Sequence, residues 1–483
     1  MNPTTSRSGR GRAVVVGSGP NGLAAAITLA AHGKTVTVLE ASDRIGGGTR
    51  SAELTEPGLI HDECSAFHPF AEGSAFYQEH ELARHGLNWL TSEVPYAHPL
   101  DGVRGAVAYR SLPRTAAALG ADGEAWRQIF GSIEHHLPQV LDEVLQPALH
   151  IPRRPLSLTR FGLPAALPAT TLGRRWQSDE ARSLFAGVAA HAMRPLGAPF
   201  SSAIGLLLGA AAHAYGWPVS EGGSGKIATA LAARLRELGG EVVTGQRVTS
   251  LAQLPPAEIV MLDLMPTQAA AIAGDHLPHR VRRAYERYQH GPGVFKIDVA
   301  IEGPIPWSYP PAAEAGTVHL GGTLEEIAHA EAEVARGRMP ARPFVLVSQQ
   351  AVIDPTRSIG GRQPVSAYAH VPAGFTGDAT TTILNQLERF APGLRDRITT
   401  LTVTPTHKLT AHNANYVGGD IVGGSNTMFQ LLFRPRLTPD PYYTGAPGLF
   451  LCSAATPPGA GAHGMCGYNA ARRALRRTES GPA

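Results

Sequence analysis

The hydrophobic pattern near the start of the chain predicts a strand–turn–helix–strand unit. The β-branched run Val-Val-Val at 14–16 is typical of a short buried strand. An alanine-rich segment of helical character follows at 23–31, and Gly33 is placed to end it. A second strand is predicted over 34–39, and it delivers an acid, Glu40, at its end.

The turn between the first strand and the helix predicts a dinucleotide-binding loop. It reads Gly-Ser-Gly-Pro-Asn-Gly at 17–22, a G-x-G-x-x-G. Gly17 permits the tight turn, Gly19 lets the backbone approach a pyrophosphate, and Gly22 lets the helix pack closely on the strand. The helix N-terminus offers free N–H groups to the phosphates. Glu40, eighteen residues after Gly22, is placed to accept hydrogen bonds from ribose hydroxyls. The alternative is a glycine turn in another kind of α/β unit.

The middle of the chain carries helical patterns without a nucleotide motif. The longest apolar run, at 203–215, is shorter than the roughly 20 residues that span a bilayer, so a buried helix is favoured over a membrane-dipping one. Helices are also predicted over 126–144 and 227–238. The Pro- and Arg-rich segment at 151–175 is predicted to be a loop. A solvated loop is favoured there over a lid, a funnel for anionic substrates or a membrane-surface patch.

Strand patterns dominate the second half of the chain. A short strand is predicted over 241–244, the segment 293–301 alternates like a half-buried strand, and 344–347 and 363–371 follow the same pattern. These runs predict a mostly antiparallel sheet that forms the floor of a substrate cavity. The sequence contains no H-E-x-x-H, no G-x-S-x-G and no carboxylate pair in an evident catalytic setting.

Length and composition restrict the class of protein. A chain of 483 residues is too long for one compact core, so two domains are expected. The balance of 42 basic against 39 acidic residues, net +3, argues against nucleic-acid binding. Cys64, Cys452 and Cys466 form no C-x-x-C, so neither a metal site nor a redox disulfide is indicated. We expect reduced thiols in a cytoplasmic protein.

The residues after Glu40 resemble a known flavoprotein pattern. They read Ala-Ser-Asp-Arg-Ile-Gly-Gly-Gly-Thr-Arg-Ser at 41–51. This resembles the E-A-x-x-x-x-G-G-x-x-x-S pattern of the glutathione-reductase-like superfamily, especially its amine oxidase and phytoene desaturase branch. In that branch the second glycine cluster runs beside the FAD pyrophosphate, and the basic residue after the acid faces the adenosine. The resemblance therefore implies FAD rather than NAD.

The end of the chain resembles the same branch. A strand, a glycine-rich turn and an alanine-rich helix recur at 448–471. In the family this turn places backbone N–H groups under the pyrimidine part of the isoalloxazine, where they stabilise the charge of the reduced flavin. Ala460 and Ala462 depart from the expected Gly and Val. Val248 matches a family position that contacts the adenine.

Three further segments, at 288–296, 354–357 and 415–420, narrow the resemblance. The chain is similar to phytoene-desaturase-like FAD oxidoreductases, and more narrowly to the pyridine nucleotide-disulfide oxidoreductase domain-containing protein 2 group, over 13–475. The implied fold combines α/β and α+β parts: a Rossmann-like, glutathione-reductase-like FAD-binding domain and a substrate-binding cap with a mainly antiparallel sheet and helices. The expected division is a disordered tail at 1–12, a discontinuous FAD-binding domain, a cap domain and a tail at 477–483. The FAD-binding domain is expected to take 13–75, 217–270 and 445–476, and the cap 76–216 and 271–444.

The motif and the resemblance together assign a set of cofactor-binding residues: Gly17, Gly19, Pro20, Asn21, Gly22, Glu40, Ala41, Arg44, Gly46, Gly47, Gly48, Thr49, Val248, Ala454, Gly461, Gly464 and Met465. His61, Asp62 and His68 are site candidates, because the matching family segment crosses back towards the flavin ring. His463, in the flavin-ring turn, is the third candidate catalytic histidine. With an unperturbed pKa of about 6.5 it would titrate near neutral pH and, once protonated, stabilise reduced flavin. The alternative is that His463 only caps the helix starting near Met465.

The implied activity is that of an FAD-dependent dehydrogenase or desaturase acting on a C–H bond of a lipid-like, polyene or other small organic substrate. Flavin chemistry needs few catalytic side chains, which fits the absence of a catalytic motif. Because no second nucleotide fold is visible, electrons would leave to oxygen, a quinone or another protein. Binding of NAD(P)H at the same face, without a domain of its own, stays an open alternative. The alternatives are a non-redox carotenoid-type isomerase and a flavin-binding scaffold without turnover. Peripheral membrane contact and the oligomeric state also stay open.

Overall fold

A computed structural model describes residues 11–479 of the chain. The tail predicted at 1–12 falls mostly outside these residues, but Arg12 already begins the first strand, so the predicted tail is too long. The tail predicted at 477–483 is also too long, because the last helix continues to Glu479. Residues 480–483 lie outside the described part.

The strands, in chain order, are β1 Arg12–Val16, β2 Thr35–Leu39, β3 Ser51–Ala52, β4 His61–Asp62, β5 Trp89–Leu90, β6 Val94–Pro99, β7 Gly105–Ala108, β8 Val219–Ser220, β9 Glu241–Val243, β10 Ile259–Leu262, β11 Gly293–Glu302, β12 Ala315–Leu320, β13 Val345–Ser348, β14 Arg362–Val371, β15 Ile398–Thr404 and β16 Leu449–Leu451.

The α-helices are α1 Pro20–Ala31, α2 Ala75–His80, α3 Leu112–Ala118, α4 Gly123–Glu134, α5 Leu137–Val144, α6 Pro155–Ala165, α7 Ala169–Leu172, α8 Asp179–Ala189, α9 Ser202–Ala214, α10 Gly225–Glu237, α11 Pro266–Ala273, α12 His279–Glu286, α13 Leu324–Ala335, α14 Thr380–Phe390, α15 Thr406–His412, α16 Met428–Phe433 and α17 Met465–Glu479.

A parallel sheet of five strands, ordered β16-β10-β1-β2-β9, holds the N-terminal motif. Its strands come from the start, the middle and the end of the chain. Because parallel strands need covered faces, β1 is buried from Ala13 to Val16 and α1 packs between α10 and α17. The carboxyl ends of β1, β2, β10 and β16 therefore meet at one edge, where residues 17–22, the glycine loop, lie.

The second sheet has seven strands in the order β15-β11-β14-β13-β12-β6-β7. All its neighbours are antiparallel except β12 and β6. The two sheets confirm the predicted fold class, a parallel α/β part combined with a mainly antiparallel sheet and helices. The strand predictions over 293–301, 344–347 and 363–371 correspond to β11, β13 and β14 within one or two residues.

The predicted loop at 151–175 is wrong, because α6 and α7 occupy most of it. Ser157, Phe161 and Ala165 recur every four residues and are buried on one face of α6. The arginines and prolines of this segment are typical of a loop, and the loop was predicted from them instead of from the helical spacing. The helix predicted over 126–144 is interrupted, since α4 ends at Glu134 and α5 starts at Leu137. In the described part of the chain, no helix combines the length and apolarity that a membrane crossing requires.

The buried side chain of Arg357 links several segments that connect the two sheets. The Arg357 side chain is fully buried, with Nη1 2.6 Å from Asp62 Oδ2 and Nε 3.0 Å from Asp354 Oδ2. Its Nη2 donates to the Ser220 carbonyl oxygen at 2.8 Å. Asp62 also accepts from the Ser224 N–H at 2.7 Å. The candidate Asp62 is therefore engaged in a structural ion pair.

Replacing Arg357 by Met is expected to destabilise the protein by about 3–5 kcal/mol, because two buried carboxylates lose their cation. Urea unfolding at pH 7 measures the change. Arg342→Met is the control, since Arg342 makes only an exposed pair with Glu326 at 3.5 Å and should change stability little. Equal midpoints for the two variants would show that Arg357 does not hold this junction.

Candidate functional site

Two cavities adjoin at the carboxyl edge of the parallel sheet. The first cavity, of about 420 Å³, is lined by residues of the glycine loop, the end of β2 and the segment 246–249. The second cavity, of about 370 Å³, runs from the glycine loop to the antiparallel sheet and the turn after β16. Gly19, Asp263, Asn413 and Asn415 line both. The two cavities therefore meet at the start of α1.

The glycine loop depends on glycines at positions where a side chain would not fit. Gly17 has a φ of +103°, in the left-handed region that favours glycine. A Cβ on Gly22 would lie 2.2 Å from the Gly17 carbonyl oxygen. Pro20 begins α1 at a position where the missing N–H costs nothing. The loop thus brings the N-terminus of α1 directly against β1.

Glu40 is held at the end of β2 with its carboxylate towards the same loop. Oε2 accepts from the Ser18 N–H at 2.9 Å and from Ser18 Oγ at 2.6 Å, and Oε1 accepts from the Ser42 N–H at 2.9 Å. Arg50 Nη2 lies 3.6 Å from Oε1. The carboxylate lines the first cavity in a fixed orientation. Its contact with a ribose stays a prediction.

Most residues assigned from the sequence line one of the two cavities. Those lining the first are Gly17, Gly19, Glu40, Ala41 and Val248. Those lining the second are Gly19, Pro20, Asn21, Gly48, Thr49, Ala454, Gly461, His68 and His463. The antiparallel sheet contributes Thr317, Leu346, Ser348 and Tyr368 to the wall of the second cavity.

Arg44, Gly22, Gly46, Gly47, Gly464 and Met465 are not among the cavity-lining residues. Arg44 instead pairs with Glu63 at 2.8 Å and donates to the Ser51 carbonyl at 2.7 Å, so its side chain is turned away from the cavities. Gly46 and Gly464 pack closely against neighbouring side chains. A Cβ on Gly46 would lie 3.0 Å from Ala228 Cβ, and one on Gly464 would lie 2.6 Å from Phe76 Cδ1.

His463 lines the second cavity, but its predicted titration near neutral pH is wrong. Burial lowers its pKa to about 4, although a hydrogen bond to the Ala460 backbone opposes the shift. Its Nδ1 accepts from the Met465 N–H at 3.1 Å. The imidazole is therefore neutral at pH 7 and caps α17, which is the alternative considered from the sequence.

The other two histidines have structural partners as well. His61 lies outside both cavities, with Nε2 2.8 Å from Thr55 Oγ1 and Nδ1 3.4 Å from Asp298 Oδ1. His68 lines the second cavity, and its Nε2 lies 2.9 Å from Ser224 Oγ. Burial lowers the pKa of His68 to about 4, so it too is neutral at pH 7. His61 belongs to β4 itself, and its side chain lies against Thr55 and Asp298 instead of in a cavity, so its predicted role in the site has no support from this geometry.

Asp263, which sequence reasoning missed, lies where the two cavities meet. It follows β10 directly and is 6% exposed. Its Oδ2 accepts from the Gly22 N–H at 3.0 Å, and burial raises the pKa of this carboxyl to about 7. An acid directly after a buried strand was the available signal, since ligands bind at the carboxyl ends of such strands.

Arg434 is the second residue that was missed. It lines the second cavity and is 2% exposed. Nη1 donates to the Ala454 carbonyl at 3.2 Å and Nη2 to Asn426 Oδ1 at 2.8 Å. Within residues 11–479 no carboxylate lies within 4.0 Å of its guanidinium. No pattern in the sequence distinguishes this arginine from its neighbour Arg436.

Comparisons with known proteins agree with this geometry. The family model of the NAD(P)-binding Rossmann-like domain matches residues 15–79. The rat pyridine nucleotide-disulfide oxidoreductase domain-containing protein 2 is 24% identical, over 96% of this chain and 93% of its own length. The resemblance to this protein group is therefore confirmed as a homology over almost the whole chain.

Two solved structures share the fold. An oxidoreductase from Methanosarcina mazei superposes with a TM-score of 0.63 at 15% identity, covering 96% of this chain and all of that one. Putrescine oxidase bound to putrescine superposes with a TM-score of 0.61 at 17% identity, covering 97% of this chain and 99% of that one. The chain thus has a Rossmann-like dinucleotide-binding domain within a fold shared with oxidoreductases.

Replacing His463 by Asn tests the neutral cap. Asn presents an acceptor to the Met465 N–H but does not titrate, so stability at pH 7 should change by less than about 1 kcal/mol. The unfolded chain binds a proton near pH 6.5 and the folded His463 only near pH 4. The wild type should therefore lose stability as pH falls from 6.5 to 4, and the variant should lose on the order of 2 kcal/mol less. Urea unfolding at pH 7 and pH 5 measures both; identical acid losses would contradict the assignment.

Proposed function

We propose that this chain is an FAD-dependent oxidoreductase that moves a hydride from a C–H bond of a lipid-like, polyene or other small organic substrate to flavin N5. The observation that carries the proposal is the meeting of the two cavities over the glycine loop at the start of α1. An extended dinucleotide would cross this point with its phosphates at the N-terminus of α1.

The residues present fit FAD along the whole path. Glu40 and Val248 would hold the adenosine in the first cavity, and the 19–21 loop would hold the pyrophosphate. A Cβ on Gly47 would lie 3.2 Å from Gly19 Cα, so the second glycine cluster packs against the first. That paired cradle matches the flavoprotein pattern and has no counterpart in a plain NAD domain. The isoalloxazine would enter the second cavity beside Ala454 and Gly461.

FAD, when bound, would supply the hydride acceptor. The side chains of the second cavity would exclude water and orient the reacting C–H bond, since its wall includes Phe67, Phe70, Leu208, Trp217 and Tyr368. His68, His191 and His463 also line it, and burial lowers the pKa of each well below neutral. Neutral histidines add no fixed charge beside an apolar carbon, and a neutral imidazole has a lone pair that could accept the proton leaving the neighbouring carbon when a double bond forms.

The charges in the second cavity favour a neutral or anionic substrate. Of the residues that line it in the described chain, Arg434 is the only arginine or lysine and Asp263 the only carboxylic acid. Asp263 lies at the phosphate end, whereas Arg434 lies beside Ala454 in the proposed ring region. A dication such as putrescine, the ligand of one structural relative, would meet an unneutralised positive charge there. This separates the proposed substrate class from that of putrescine oxidase.

The division into domains is part of the same proposal. The FAD-binding domain would take 13–75, 217–270 and 445–476, which include β1, β2, β9, β10 and β16 of the parallel sheet. The intervening segments would form the cap over the flavin. Electrons would leave to oxygen, a quinone or another protein.

Replacing Glu40 by Ala tests the cofactor. The ribose hydroxyls would lose their acceptor, so FAD affinity should fall about tenfold or more, in keeping with the loss of a charge-assisted hydrogen bond. The ratio of flavin absorbance to protein after purification measures retention. Glu241→Ala is the control, because Glu241 is the exposed first residue of β9, the edge strand of the parallel sheet. Wild-type protein that carries stoichiometric NAD and no flavin would refute the proposal.

An anaerobic titration of flavin absorbance tests the substrate class. Polyenes and lipids, neutral or with a carboxylate, are expected to bleach the flavin, whereas putrescine is not. Arg434→Gln should reduce the preference for carboxylates over amines about tenfold or more, because a buried charge pair is lost. Arg436→Gln is the matched control, since Arg436 donates to the Tyr443 carbonyl and does not line the cavity.

Bleaching by putrescine alone would assign an amine oxidase instead. Turnover of a polyene with no net flavin reduction would assign the isomerase alternative, and no response to any compound would favour a flavin-binding scaffold.

A further inference from the structure

We propose that Asp263 binds a phosphate of the dinucleotide as a neutral carboxylic acid, so that cofactor binding takes up one proton from solution. This inference rests on the proposed function, because it assumes that FAD occupies the two cavities.

The Asp263 carboxyl group is hydrogen-bonded to the glycine loop. Its Oδ2 accepts from the Gly22 N–H at 3.0 Å, and the Gly19 N–H also interacts favourably with this carboxyl. A Cβ on Gly19 would lie only 2.7 Å from Oδ2. The carboxyl therefore occupies N–H groups at the start of α1, which are the groups that bind a pyrophosphate in this kind of loop. A phosphate bound at Gly19 would be its direct neighbour.

In the described part of the chain, Asp263 has no ion-pair partner. Within residues 11–479 no Lys, Arg or His nitrogen lies within 4.0 Å of its carboxyl oxygens. From β2 it faces Glu40, a like charge, whose own neighbour Arg50 is 3.6 Å from Glu40 Oε1. From the strand and helix at the end of the chain it faces the thiols of Cys452 and Cys466.

These neighbours make the charged form unfavourable. Burial is the main reason that the pKa of Asp263 rises to about 7, and Glu40 adds to it, while the hydrogen bonds from Gly22 and Gly19 oppose it. Burial also raises the pKa of both thiols, to about 12 for Cys466, so neither changes charge near neutral pH. Asp263 is therefore a group at this junction that can exchange a proton with solution near pH 7.

A pyrophosphate would shift that balance further. Its negative charge beside the carboxyl favours the protonated acid, which forms when one proton from solution binds the carboxylate. The acid can then donate its O–H to a phosphate oxygen while its other oxygen accepts from the Gly22 N–H. Below about pH 7 the free protein already carries this proton, so affinity is constant there. Above pH 7 binding must take up the proton, and affinity falls by up to tenfold for each pH unit.

Isothermal titration calorimetry of the full chain, stripped of flavin and titrated with FAD, counts the proton. Measurements at pH 8 in two buffers of different ionisation enthalpy should give an uptake close to one proton for the wild type. Asp263→Asn keeps an acceptor for the Gly22 N–H but cannot titrate, so its uptake should be close to zero. Its dissociation constant for FAD should stay flat from pH 6.5 to 9, while that of the wild type rises about tenfold or more.

Asp275→Asn is the control, because the Asp275 side chain is fully exposed, and it should reproduce the wild-type uptake. Wild-type binding without proton uptake overturns the inference, and so does an uptake that persists in Asp263→Asn. The wild-type count decides the question even where the Asn variant does not fold. Folded wild-type protein that binds no FAD at any pH refutes the proposed cofactor itself, a result distinct from FAD binding without a proton.

Discussion

The site depends on a close approach of backbone to backbone around the first turn of α1. A Cβ on Gly467 of α17 would lie 1.8 Å from the Asn21 carbonyl oxygen, and one on Gly22 would lie 2.2 Å from that of Gly17. Without side chains at these positions, α17, α1 and β1 converge on one point. The N-terminus of α1 thereby faces the junction of the two cavities, where the Asp263 carboxyl accepts from the Gly22 N–H. A larger residue at Gly22 or Gly467 would separate the elements that form the walls of both cavities.

The parts of this molecule that the sequence predicted are those with local causes. The G-x-G-x-x-G turn, the strand before it and Glu40 follow from chain geometry within about thirty residues, so their pattern is readable from the sequence alone. The antiparallel strands follow from alternation. The helix at 155–165 was missed although its apolar spacing is also local, because proline and arginine dominated the interpretation of that segment.

The chemistry of single side chains was predicted less well because it depends on distant parts of the chain. The pKa of His463 is set by burial between segments that are far apart in sequence, and the Asp263 carboxyl lies against a loop more than two hundred residues earlier. Arg434 becomes a candidate site residue only because it lines the second cavity in the folded structure. In the second cavity these effects replace the expected titrating histidine with neutral imidazoles and one permanent cation, so the fixed charge of this cavity comes from arginine.

The strand order of the parallel sheet has a consequence for biosynthesis. β16 pairs with β10, which in turn pairs with β1, and α17 packs on α1. The first strand and helix therefore leave the ribosome more than four hundred residues before the elements that complete their surroundings. Contacts between such distant segments form slowly, since a long loop must close first. The glycine loop therefore stays unfinished while the chain is being synthesised, and its complete surroundings form only at the last step of folding.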